Sequence, residues 1–357
     1  MRAALDEREE LIAARADAVL DGALTESAPW TKAIGTPPAD RRRAATWRKA
    51  ARVVAAYRDR YRITDDTPPG TPPESAAQKI DAAADHGIDA FIFDWYWYDD
   101  GPFLERSLDE GFLNAPNNDR LKFGLMWANH DWVDIHPIGL STVRKPPLLY
   151  GGRVTRETFD RVVEQVIERY FRHPSYWLVD GCPYFSIYEL MKLREGLGGV
   201  EATRDALAHF RRRVREAGFP DLHLNAVVWS ASLLPGETMV KDPNELLTYL
   251  GFDSITSYVW VHHGVLAEFP QTDYVVARDR YLAYWDQAEA QFTLPYHPNV
   301  TMGWDSSPRT IQSDAYLPWN YPFTAVLADN TPDRFREALA LTKERLAARA
   351  PKDRILT

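Results

Sequence analysis

GIDAFIFDWYWYDD, residues 87–100, is the stretch on which the fold is decided. Its core, Ala90–Trp95, is an apolar run broken by Asp94 and continued by Tyr96, Trp97 and Tyr98. A short apolar segment that ends in an acid and a row of rings reads as a buried strand emerging into a polar setting. Comparable runs follow at Phe123–Ala128, Tyr184–Tyr188, Leu222–Trp229, Ser254–Val259 and Asn299–Gly303. Helical periodicity lies between and around them, at Ser75–His86, Arg156–Phe171, Glu201–Ala217, Tyr274–Phe292 and Pro332–Ala348. Repeated β-then-α units with apolar strands predict a parallel sheet. Polar and aromatic residues gather just after most strands, which favours a closed, TIM-type barrel over an open sheet.

Chemistry in such a barrel sits at the C-terminal strand ends, where side chains leave the packed layer and converge. Asp94 opens the aromatic run Trp95, Tyr96, Trp97 and can contact a substrate or make a structural hydrogen bond. After the second strand, Asn129, His130, Asp131 and Trp132 place an amide, an imidazole, a carboxylate and an indole within four residues. Packing alone does not call for that density, so Asp131 is read as a ligand contact. Glu189 follows Tyr188 directly after a strand, where a partly apolar mouth would raise its pKa for acid catalysis; pairing with a rim arginine is the alternative. General acid and base work needs paired carboxyl groups, and Asp94, Asp131 and Glu189, each just past an apolar run, are the candidates. Asp305, close in sequence to Arg309, fits a clamp on sugar hydroxyls. Tyr258, Trp260 and Trp304 extend the aromatic surface on which pyranose faces stack, although several of the twelve Trp must be core. His130 and His262 read as orienting residues. A metal site built from His130, His262 and His263 is disfavoured, because adjacent histidines point apart on an extended segment.

The bulk properties bound the rest. The chain has 357 residues, 45% of them hydrophobic and 26% charged, with no apolar run long enough to span a membrane. Net charge is −9; residues 1–75 carry 13 basic and 12 acidic side chains, leaving 29 basic against 39 acidic beyond them. An acidic body suits neutral or cationic ligands better than nucleic acid. The lone Cys182 excludes an intrachain disulfide and a cysteine-rich metal site. GLGGVE, residues 196–201, lacks the full fingerprint and preceding strand of a dinucleotide site, and no phosphate-binding loop is present, so no cofactor is expected. The N-terminus lacks the pattern of a secretory signal, which makes cytoplasmic location the default. The Pro-rich stretch DDTPPGTPPES, residues 65–75, reads as a linker separating a helical extension, residues 1–73, from the barrel, residues 74–357.

GIDAFIFDWYWYDDGPFLERSLDEGFL, LKFGLMWANHDW, RHPSYWLVDGCPYFSIYEL and TMGWDSSPR resemble, in this order, motifs of glycoside hydrolase family 99-like proteins, some labelled WbsX-type glycosyltransferases. The resemblance spans residues about 75–357. It implies a (β/α)8 barrel and, for the hydrolases of family 99 itself, metal-independent retaining cleavage of α-mannosidic linkages by two carboxyl groups. Many members carry Glu-Asn after the WAN of the second motif, where this chain has His130 and Asp131. Neither the family's Tyr- and Trp-bearing first strand nor its closing Asn-Glu-Trp-x-Glu run is visible. The expectation is therefore an incomplete barrel, a fusion or truncated reading frame whose activity depends on the missing carboxylates. Residues about 28–66 resemble a helical stretch of actinobacterial conjugative relaxases without their catalytic Tyr or metal-binding His motifs. The leading expectation is a glycoside hydrolase acting on an oligo- or polysaccharide. A glycosyltransferase-type role in surface polysaccharide assembly and a non-catalytic glycan-binding remnant are the alternatives.

Overall fold

The computed structural model describes residues 72–135, 137–230, 242–311, 314–350 and 353–357. The helical extension and the relaxase-like stretch therefore lie outside the described residues, apart from Pro72 and Pro73. The chain divides into two compact units, residues 1–86 with 106–120, and residues 87–105 with 121–357. In the first unit, helix α1 (Pro73–Asp85) starts on a proline, whose missing N–H costs nothing at that position. Arg120 ties its surface by bonding Asp81 and, at 2.6 Å, Asp85.

The second unit is built on six parallel strands: β1 (Ala90–Tyr98), β2 (Lys122–Trp127), β3 (Cys182–Ile187), β4 (His223–Val227), β5 (Ser254–Thr256) and β6 (Tyr296–His297). They lie side by side in sequence order, with no strand skipped. Helices α2 (Arg156–Val166), α3 (Leu190–Leu197), α4 (Val200–Glu216), α5 (Pro243–Leu250) and α6 (Tyr274–Gln291) occupy the connections, and α7 (Pro332–Ala347) follows β6. The expected strand at Asn299–Gly303 forms three residues earlier, at Tyr296–His297. Pro298 has no N–H to donate, and the polar groups beyond it bond to backbone instead, as in Trp260 N to Thr301 Oγ1 at 2.9 Å. Beside β6, Thr357 N donates to Pro298 O at 2.9 Å and Val300 N to Thr357 O at 3.3 Å, which seats the final residue against the segment after β6. Among the described residues β1 and β6 do not pair with each other. No described helix is long and apolar enough to cross a membrane.

The two sheet faces differ in chemistry because strand residues alternate sides. Toward the helices point Phe123, Leu125, Trp127, Phe185, Ile187, Leu224, Ala226 and Ile255, all essentially inaccessible. Phe185 meets Phe210 of α4 at 5.3 Å between ring centroids, and Trp127 meets Phe159 of α2 at 6.2 Å. Burying such side chains contributes roughly 1.5–3 kcal/mol each, which makes this layer the main source of stability. The opposite face carries Asp94, Met126, Ser186, Asn225 and Ser254 at one level of the register. Its buried polar groups satisfy one another: Ser186 Oγ donates to Asn225 Oδ1 at 2.8 Å, Asn225 Nδ2 to Ser254 Oγ at 2.9 Å, and Ser254 Oγ meets His223 Nε2 at 2.8 Å.

A satellite core joins two loops that follow strands. Ile135, Ile138, Val143, Tyr321 and Phe323 are buried together, with Val133 and Trp304 against them. Ile138 N donates to Arg309 O at 2.9 Å and Ile311 N to Ile138 O at 3.1 Å, which fastens the loop after β6 to the loop after β2.

Candidate functional site

Period-two alternation along β1 sorts its rings. Trp95 and Trp97 stack on each other toward the helices, and Trp95 also meets Trp127 and Tyr170. Asp94 and Tyr96 project from the other face. There Tyr258, just past β5, donates its hydroxyl to Asp94 Oδ2 at 3.0 Å, the sole hydrogen-bond partner of Asp94 among the described residues. Tyr258 is itself held by Asn299, whose Nδ2 donates to Tyr258 O at 2.7 Å.

Rings surround this pair. Tyr188 lies edge-on to Tyr258 at 5.2 Å and tilts against Trp229 at 5.3 Å. It also reaches His130 at 5.7 Å and His262 at 6.4 Å. Tyr96 completes the circuit with Trp132 at 5.4 Å and His130 at 6.0 Å, and His130 and Trp132 are stacked. Asp94 is open to solvent yet crowded by this protein mass, as at the floor of a cleft. Burial pushes its pKa up, opposed by the Tyr258 hydrogen bond and by the charge that His130 can carry. Burial also raises Tyr258 and Tyr96, reinforced in each by the negative charge of Asp94, so both phenols remain donors. Arg309 acts in the opposite sense on both phenols. His130 Nδ1 lies 2.9 Å from Asp131 O, and a carbonyl can only accept, so the proton sits on Nδ1 and Nε2 is the acceptor of the neutral ring.

The other carboxylates are engaged differently. Asp131 accepts from Gly152 N at 2.8 Å and pairs with Lys192 Nζ at 3.0 Å. Glu189 is buried and caps α3, accepting from Met191 N at 3.0 Å. Asp305 is exposed and accepts from Ser307 N at 2.9 Å, within its own turn. Asn129 is fully buried and clamps the ends of β2 and β3: its Nδ2 donates to Glu189 O at 2.8 Å, and Glu189 N donates to its Oδ1 at 2.8 Å.

The structure thus brings Asp94, Tyr96, His130, Trp132, Tyr188, Tyr258 and His262 together, with Trp229 among them. Trp95 and Trp97 lie on the helix side of the sheet. Trp260 is buried against Tyr274 and Tyr281, its Nε1 donating to Asn299 O at 3.0 Å. Trp304 packs on Tyr321 in the satellite core. Three contributors had no distinguishing sequence signal. Tyr98 donates to His130 O at 3.2 Å and stacks on Tyr150 at 5.4 Å. Lys192 neutralises Asp131. Gly152 lies so close to Asn129 O and His130 that no side chain fits. Among the described residues no group of three His, Cys, Asp or Glu side chains could hold a metal ion.

A carboxylate destabilised as an anion, flanked by phenol donors and ringed by flat apolar faces, can hold a pyranose and exchange a proton with it. Several solved structures resemble the chain, three of them as follows. The GH99 endo-alpha-mannosidase from Bacteroides thetaiotaomicron shares 13% identity at a TM-score of 0.43, covering 75% of this chain and 63% of its own. The same organism's enzyme in complex with bis-tris-propane shares 13% at 0.45, covering 80% and 69%. A glycoside hydrolase-like protein shares 14% at 0.49, covering 80% and 74%. The chain thus spans less than two thirds of the first of these. No curated protein matches. The model of the family described as Glycosyltransferase WbsX matches residues 71–357, and the chain belongs to that family of carbohydrate-active proteins.

Proposed function

We propose that this chain is a glycoside-cleaving member of its family, acting on an oligo- or polysaccharide, with α-mannosidic linkages the first to test. The observation that carries the reading is Asp94: a crowded, solvent-reachable carboxyl bonded to Tyr258 and encircled by Tyr96, Trp132, Tyr188 and Trp229 at the C-terminal strand ends. Sequential strand order supports closure into a (β/α) barrel, since open doubly wound sheets reverse their strand order at a switch point and this one does not. A raised pKa suits Asp94 to protonating a leaving oxygen. Asp131 and Glu189, from the neighbouring strand ends, are the candidates for the second carboxyl group, and Asn129, His130 and His262 orient the sugar.

Glycan binding without turnover is the second reading, favoured by the helix cap that occupies Glu189 and the ion pair that occupies Asp131. A transferase role accords with the family's description. Incubating the full chain with α-linked mannooligosaccharides, and separately with sugar-nucleotide donors and acceptors, distinguishes the three. Hydrolysis that falls about 100-fold or more in Asp94→Asn supports the proposal. Binding with no product in either assay selects the second reading, and product only with a donor selects transfer.

A further inference from the structure

Among the described residues, Arg309 is a cation at the mouth that no acid neutralises. Its guanidinium lies over the Tyr321 ring at 5.6 Å, and it is exposed, with no ion pair to any described residue. The acids nearest in sequence are occupied elsewhere: Asp305 Oδ1 accepts from Ser307 N, and Asp314 Oδ2 accepts from Leu140 N at 2.8 Å. The backbone of Arg309 is fixed by Ile138 N on one side and by its own N–H to Ser306 O at 3.0 Å on the other. The Ile138 loop begins at Trp132, which meets Tyr96. The guanidinium is therefore mounted on an ordered frame that includes the mouth's own rings. Its charge is felt at the hydroxyls of both Tyr96 and Tyr258, the two phenols that flank Asp94.

Over Tyr321 the guanidinium makes no hydrogen bond to any described residue, and its edge matches the two oxygens of a carboxylate. A neutral glycan has no group that needs a full positive charge. An acidic chain, with 51 Asp and Glu against 42 Lys and Arg, repels anions at long range, so an arginine unpaired among the described residues and acting on the two phenols that flank Asp94 reads as local recognition. We propose that the glycan recognised at this mouth carries a carboxylate, as in a hexuronic acid residue, and that Arg309 binds it. This rests on the saccharide reading of the site given above.

The test uses the full chain and an array of neutral oligosaccharides together with hexuronic-acid oligosaccharides, each acidic probe paired with its methyl ester. The ester keeps the ring and removes only the charge. Expected is a preference for acid over ester of roughly 10- to 100-fold at low salt, shrinking as salt rises, the scale of one charge-assisted hydrogen-bonded pair. In Arg309→Gln the ratio of acid to ester should fall to near one, and Arg309→Lys should restore part of it. Acid and ester bound equally by the unaltered protein, or neutral glycans bound in preference, overturns the inference and leaves the saccharide reading standing. No binding to any probe overturns both.

Discussion

Replacing Asn129 with alanine should cost more than any other single change at the mouth, because one buried amide satisfies two backbone groups of a neighbouring strand end. Asn129 is fully inaccessible, and both its contacts to Glu189, donor to the carbonyl and acceptor from the N–H, are 2.8 Å long. Alanine leaves that N–H without its acceptor in a site closed to water and strips the carbonyl of one of its two bonds, the other coming from Leu193 N at 3.2 Å. The orphaned N–H costs about 1–3 kcal/mol and the lost bond to the carbonyl about 0.5–1.5 kcal/mol more, so the loss should be about 1.5–4.5 kcal/mol, against a total stability of about 5–15 kcal/mol for a typical domain. Asn129→Asp keeps an acceptor for the N–H, yet it sets a second acceptor, and in the ionised form a charge, against the carbonyl. It should therefore not rescue. Urea unfolding of the full chain measures the loss, and amide hydrogen exchange at Glu189 locates it. A loss below about 1 kcal/mol with the Glu189 amide still protected would refute the clamp.

Gly152→Ala should displace the Asn129–His130 backbone, since its Cβ would fall 2.6 Å from the His130 carbonyl carbon; a loss of about 1–3 kcal/mol by thermal unfolding is expected, and an unchanged midpoint would count against it. Tyr258→Phe removes the hydrogen bond that holds the Asp94 pKa down, so the ionisation of Asp94 should move to higher pH, followed by carboxyl NMR; a downward move contradicts the electrostatic reading. Burial holds the His297 imidazole down at about 3 from an ordinary value near 6.5. A depressed histidine folds neutral, so its stabilising contribution is complete above the unfolded pKa and is lost as pH falls from about 6.5 toward about 3, at up to roughly 1.4 kcal/mol per pH unit. His297→Gln should flatten that slope in urea unfolding at pH 7, 6, 5 and 4, and an unaltered slope would reject the assignment.

What the sequence disclosed follows from what is local. Helices such as Tyr274–Gln291 and Pro332–Ala347 were legible to within a residue or two, because their periodicity is written in consecutive positions. The expected helix Arg156–Phe171 forms, with its last turn, Ile167–Phe171, widened to a π-helix. Leu190–Leu197 was not anticipated, since a short helix capped directly by the preceding strand's Glu189 has no polar linker to announce it. At the site, FIFDWYWY is aromatic at both parities, so alternation alone could not say which rings face the helices. The partner of Asp131 was equally hidden: Lys192 lies on another element, brought near only by the strand order.

The sorting of β1 into indoles on one side and an acid with phenols on the other has a practical consequence. A one-residue slip would drive Asp94 into the greasiest layer of the molecule and expose two tryptophans, so the strand enforces its own alignment. Positions 92, 94 and 96 can then be rewritten for a different ligand while 91, 93, 95 and 97 keep the scaffold unchanged.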